Sequence, residues 1–281
     1  RSDGLACYFD PFLEVEALGA ELRLESDVKP PSVHWPQSSP KGEIPAGPRS
    51  PEEAVKCGRV PIALEVIRRL NSLLRDEFIL MAGVTGPFTL AARLAQLSLG
   101  STLRREDFSE NALELAASTI TAVSSALGEA GANVIFIRED CLPSLSAESC
   151  SVWASLLAPA INVIRFYGAL PILQIMSCRS FTENAEVISR QFWDCIVCPT
   201  LEGVQSAQSE NSLALRPETL GIAVPLEIFQ ADSTGDEAFR SALRDVISKS
   251  RPSLITTAGD VPLATDMKRM IQVLQALPRE F

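Results

Sequence analysis

Histidine is almost missing from this 281-residue chain, which has only His34. No Ser-His-Asp arrangement can be built, so general acid–base work would fall to carboxylates, cysteine or tyrosine. Tyrosine is scarce as well: Tyr8 and Tyr167 are the only two, and neither is expected at a strand end. No G-x-G-x-x-G or P-loop spacing occurs, which removes the usual phosphate-cradling loops. Lysine and arginine number 25 against 35 acidic residues, a formal net charge of −10. That excludes the broad basic face needed for nucleic acid or an anionic membrane. No apolar run approaches the ~20 residues that span a bilayer, and nothing at the start resembles a signal peptide. The chain opens on Arg1, not Met, as a trimmed or processed chain does. Internal repeats and low-complexity tails are lacking too.

What is present is a large apolar fraction, 46%, enough for one sizeable domain or two small ones. The seven cysteines, Cys7, Cys57, Cys141, Cys150, Cys178, Cys195 and Cys198, are odd in number and several lie inside apolar runs. They read as reduced thiols in a cytoplasmic protein. Short, nearly continuous apolar runs recur at 5–9, 78–83, 133–137, 170–175, 194–198, 220–224 and 253–257. Strands buried on both faces of a parallel sheet read this way. Between them lie helical patterns. One places Ile62, Val66, Leu70 and Leu73 on a single stripe. Another, over 107–130, starts on an Asp107/Glu110 capping box and repeats at Leu113, Ile120, Val123 and Leu127. Repeated βα order means an α/β fold, and seven such strands without a linker favour a single-domain (β/α)8 barrel over residues 1–281. An eighth strand is unrecognised or outside the sequence. Residues 28–52, rich in Pro, Gly and Ser, read as a long irregular excursion, and His34 within it as a loop residue.

In such a barrel, function sits at the carboxyl ends of the strands. The candidates are Asp10, then Thr85-Gly86-Pro87, then Arg138, Glu139 and Asp140. After these come Gln174 to Cys178, Cys198, Val224-Pro225 and Gly259-Asp260. Arg138 to Asp140 also fit an ordinary surface ion cluster. Glu14 and Glu16, two apart, point in different directions on either a strand or a helix, so one at most faces the mouth. Cys195 and Cys198, three apart on a strand, diverge; they read as buried structural thiols, not a metal pair.

Several segments resemble one superfamily. "GRVPIALEVIRRL" followed by "DEFILMAGVTGPFTLAARL" (58–94) is similar to the segment shared by uroporphyrinogen decarboxylases and methylcobalamin:coenzyme M methyltransferases. "EVEALGAEL" (14–22), with Glu14 and Glu16, resembles an early signature of the methyltransferase branch. "AGDVPLATDMKRMIQVLQAL" (258–277) resembles the last strand end and helix of both. The resemblance implies a (β/α)8 barrel, closer to the methyltransferase side. It also implies which residues matter. In the methyltransferases a His-x-Cys pair and a Cys in a final "GC" turn hold zinc, which activates a thiol. Here Gln174, Met176 and Gly259-Asp260 stand at those places, so a family-type zinc site is not expected. In the decarboxylases an Asp matching Asp10 holds pyrrole nitrogens, a Tyr stands where this chain has Arg93, and a His where it has Asp260. A polar "GN(V/L)DP" turn is replaced by Gly221 to Pro225, with Ile222 and Val224 apolar.

The resemblance thus points to a divergent, zinc-less member binding a corrinoid, such as methylcobalamin, or a corrinoid protein at the mouth, with methyl transfer as its reaction. Asp10, Cys178 and Asp260 are the catalytic candidates. Glu14, Glu16, Arg93, Arg138, Glu139, Gln174, Met176 and Ile222 are the ligand-facing ones. A non-catalytic barrel acting as a binding or partner protein is the alternative. A decarboxylase on a tetrapyrrole or other acid is third. Nucleic acid and membranes are not among the expected partners.

Overall fold

The computed structural model describes residues 4–23, 31–36, 49–74, 77–97, 99, 103–143, 146–176, 195–198, 220–224 and 254–257. All seven apolar runs form strands. In chain order the strands are β1 (Gly4–Tyr8), β2 (Glu21–Arg23), β3 (Ser32–His34), β4 (Ile79–Thr85), β5 (Val134–Glu139), β6 (Leu170–Ile175), β7 (Cys195–Cys198), β8 (Leu220–Val224) and β9 (Leu254–Thr257). The helices are α1 (Leu13–Ala17), α2 (Pro51–Ala54), α3 (Val60–Leu74), α4 (Pro87–Leu94), α5 (Glu110–Ala130) and α6 (Ala147–Phe166). The chain's contacts group into two compact units, Arg1–Ile172 and Leu173–Phe281, where the sequence pattern alone indicates one continuous domain.

In the first unit β1 runs parallel to β4, with Gly4 opposite Ile79, and β4 runs parallel to β5, with Thr85 opposite Arg138. Their amino ends are stitched by Asn133. Its side-chain oxygen accepts the Leu80 N–H at 2.8 Å, its own N–H donates to the Leu80 carbonyl, and its carbonyl accepts the Leu170 N–H. Parallel strands need helical crossovers, and α5 supplies the largest, packing against α3, α4 and α6. It ends at Gly131, whose φ of +104° is the left-handed stop that glycine takes most easily. In the second unit β7 pairs parallel with β8, and β8 with β9.

Several local expectations need correction. The 28–52 excursion is not wholly irregular: Ser32–His34 pairs antiparallel with Glu21–Arg23, so His34 is an exposed strand residue. A three-residue strand is too short to show alternation in sequence. The excursion ends in a capping box, where Ser50 Oγ accepts the Glu53 N–H and Glu53 Oε2 accepts the Ser50 N–H. Tyr8 is the last residue of β1 and thus does stand at a strand end. Helix α5 starts three residues later than expected, capped by Ser109, whose Oγ accepts from Ala112 N–H; Asp107 closes a preceding 3₁₀ turn. Its Leu113, Ile120, Val123 and Leu127 are buried as their spacing predicts.

For α3 the buried face is Val60, Ala63, Leu64 and Ile67, while Ile62 is 58% and Leu73 77% exposed. The helix carries two apolar stripes, and the sheet takes the one with the small Ala63. A scan for unbroken apolar runs also passes over Glu148–Phe166 of α6, because serines and an asparagine interrupt it. That stretch is long and apolar enough to cross a membrane by length and composition alone. It buries Trp153, Leu157, Ala160 and Ile164 at helical spacing. The α3 assignment makes a direct prediction for chemical denaturation. Ile67→Ala should lower stability by about 2–5 kcal/mol, whereas Leu73→Ala should stay within about 0.5 kcal/mol of the parent.

Candidate functional site

Two buried carboxylates organise the carboxyl ends of β1, β4 and β5. The first is Glu139, the last residue of β5. Helix α4 begins at Gly86, which has no side chain to cap it, and Pro87 brings no N–H. Glu139 supplies the cap from another strand. It accepts the Phe88 N–H at 3.2 Å, the Thr89 N–H at 3.0 Å, the Thr89 hydroxyl at 2.7 Å and the Trp153 indole N–H at 3.4 Å. These backbone donors are the ones an N-cap side chain normally satisfies. Glycine is required at position 86 for a second reason, since a Cβ there would lie 2.6 Å from Glu139 Cγ and Oε1. Glu139 is fully enclosed. Burial pushes its carboxyl up to about 7, and the four donors oppose that rise.

The second is Glu14 in α1, also fully buried. It accepts the Thr85 N–H at 3.0 Å and the Thr85 hydroxyl at 2.7 Å, joining the segment after β1 to the end of β4. Burial raises its pKa, and the Thr85 hydrogen bonds and Arg93 act against this.

Between these carboxylates runs Arg93, 7% exposed. Its Nη1 donates to the Pro11 carbonyl, its Nη2 donates to Asp140 Oδ2 at 2.8 Å, and the guanidinium lies 4.9 Å over the Phe12 ring. Its Nε is buried without a partner. Burial lowers its pKa, which Asp140 and Glu14 counteract. Asp140 is anchored in turn by its N–H, which donates to Thr89 Oγ1 at 2.8 Å, and it accepts Arg138 Nε at 3.2 Å. Nearby, Asp10 accepts the Phe12 N–H at 2.8 Å and pairs with Arg59 Nη1, while Arg59 Nε donates to Glu16 at 2.6 Å. A small solvent-open cleft is lined by Asp10, Pro11, Thr85, Arg138 and Asp140, with Phe9 at its side. Its volume of about 10 Å³ has room for roughly one water.

Asp10 and Arg138 line the cleft; Arg93, itself buried, shares Asp140 with Arg138, and Glu16 shares Arg59 with Asp10. Glu14 and Glu139 are enclosed, their oxygens taken by backbone, hydroxyl and, for Glu139, indole donors. Gln174 is buried in β6, and Met176 is half-buried just beyond it. Ile222 lies within β8, its side chain outside the described set, and Cys178 and Asp260 are outside the described residues. Among those described, no three His, Cys, Asp or Glu side chains are placed to hold a metal. Among the described residues Cys7, Cys57 and Cys141 are free thiols, and burial pushes Cys141 up to about 12. Arg59 and Thr89 were the residues missed, whereas Thr85 was among the strand-end candidates. Both missed residues lie within the 58–94 segment that carries the family resemblance, but helix and turn patterns assign them no role.

A family model described as uroporphyrinogen decarboxylase (URO-D) matches residues 1–160. Two curated relatives, both methylcobamide:CoM methyltransferase MtaA, come from Methanosarcina barkeri (strain Fusaro / DSM 804) and Methanosarcina barkeri. Each is 29% identical over 126 residues, covering 44% of this chain and 36% of the relative. The match thus spans about a third of the curated relatives' length. A solved structure, a methyltransferase from Methanosarcina mazei, is similar over 98% of this chain and 79% of its own, with a TM-score of 0.74 at 19% identity. That likeness shows a shared fold, the (β/α)8 class expected from the strand pattern.

Glu139 gives a prediction with a definite sign. Its folded pKa, about 7, lies above its ordinary value of 4.5, so the folded state holds the proton more tightly. Stability should therefore fall as pH rises from about 4.5 to about 7, by a few kcal/mol at most. Urea midpoints measured across that window should slope downward in the parent and flatten in Glu139→Gln. Gly86→Ala should be strongly destabilising at every pH, because the added methyl meets Glu139; thermal melting checks this.

Proposed function

The chain belongs to the uroporphyrinogen decarboxylase family, on its methyltransferase side, and we propose that it binds a corrinoid or a corrinoid protein at the carboxyl ends of the barrel strands and transfers its methyl group. The observation that carries this reading is the engagement of Asp10. For the decarboxylase chemistry that the resemblance associates with this position, the carboxylate would have to receive pyrrole N–H groups. Here one oxygen accepts the Phe12 N–H and the other pairs with Arg59. The methyltransferase reading asks no such role of Asp10. It is supported by the names of the Methanosarcina barkeri relatives, which specify a methylcobamide and coenzyme M.

On this reading the macrocycle lies against the ends of β1, β4 and β5, with Arg138 at its rim. In the transfer, a thiol acceptor loses its proton and takes the methyl group, and the cobalt keeps the electron pair of the broken bond. In place of the zinc that activates such a thiol in relatives, Cys178 or Asp260 acts on the proton. The protein works in the cytoplasm.

Spectroscopic titration with hydroxocobalamin and methylcobalamin tests the proposal. Saturable binding at micromolar protein, and demethylation of methylcobalamin when a thiol is added to chelator-treated protein, are expected. No spectral change with either corrinoid would sink it. Binding without demethylation would leave the alternative, a non-catalytic corrinoid-binding barrel.

A further inference from the structure

We propose that Arg138 is a binding residue for a carboxylate group of a small ligand, reached through the cleft at the ends of β1, β4 and β5. This rests on reading those strand ends as the working face of the barrel, but not on the corrinoid.

Arg138 lines the cleft and has donors to offer. Its Nε donates to Asp140 Oδ1 at 3.2 Å, and among the described residues no group takes hydrogens from its Nη1 or Nη2. A guanidinium held by its Nε leaves the Nη1–Nη2 edge, whose two parallel N–H groups match the two oxygens of a carboxylate. The residue is also well fixed. Its backbone is paired with Thr85 in the β4–β5 ladder, and its carbonyl accepts the Gly86 N–H at 2.6 Å. The carboxylate that orients it, Asp140, is itself held by Thr89 and Arg93. A side chain restrained in this way loses little freedom on taking a partner.

The ion pairs divide between the two sides of this face. Arg93 and Arg138 share the carboxylate of Asp140, whereas Asp10 and Glu16 both meet Arg59. The cleft has room for about one water-sized group, which fits one end of a carboxylate.

The test titrates the full chain with glutarate, and with glutaramide as a neutral control, by calorimetry. Millimolar binding of glutarate is expected, with none of the diamide. Arg138→Gln should weaken glutarate by about 10- to 100-fold, the range of a charge-assisted hydrogen bond. Arg69→Gln, which removes an exposed pair with Glu65 on α3, should leave it unchanged. Unaltered affinity in Arg138→Gln overturns the proposal. So does equal binding of the diamide, or no glutarate binding to a parent chain that unfolds cooperatively. If Arg138→Gln does not fold, Arg138→Lys replaces it: weaker binding at unchanged melting temperature supports the fork, and unchanged affinity refutes it. Hydroxocobalamin titrated in parallel separates the two readings. Glutarate binding without corrinoid binding sinks only the corrinoid, and the reverse result sinks only the role of Arg138.

Discussion

A carboxylate with no cation directly on it, closed off from water and surrounded by donors, underlies the arrangement at the strand ends. Glu139 ends β5, caps α4 and meets the indole of α6. Burial of an ionisable group without a cationic partner is costly, and four donors are what make it tolerable. The same donors fix Thr89, whose hydroxyl gives its proton to Glu139 and accepts the Asp140 N–H. Asp140 then sets both Arg93 and Arg138. The two arginines are thus placed by a carboxylate that is closed off from solvent.

This hierarchy explains why residue type misleads at a strand end. Arg138, Glu139 and Asp140 are consecutive and all charged, so sequence assigns them one role. Alternation along the strand separates them: Glu139 points inward, while its two neighbours reach the cleft. The same separation divides Glu14 from Glu16 on the short helix α1, where one carboxylate ties down Thr85 and the other meets Arg59.

The strands were legible because burial on both faces makes a parallel strand uniformly apolar, and such runs need no partner to be recognised. The stripe of α5 was legible because one face alone is apolar. Helix α3 was misread because its apolar residues fall on two stripes, and only contact with the sheet chooses between them. The hairpin of β2 and β3 left no sequence trace at three residues a side. Within the site, Asp10 and Arg138 could be found from their positions after apolar runs, and Arg93 only from the family resemblance. Arg59 could not, because its partners lie 43 and 49 residues away in sequence. Thr89 was hidden for a related reason: a hydroxyl becomes informative only once the buried acid beside it is known.

Among the described residues, the hydrogen bonds and ion pairs given for the polar network run between Asp10 and Trp153, inside the first compact unit. A chain emerging from the ribosome would carry these residues before the later strands are made. With folding proceeding from the amino end, this charged face can be set while the later segments are still being synthesised.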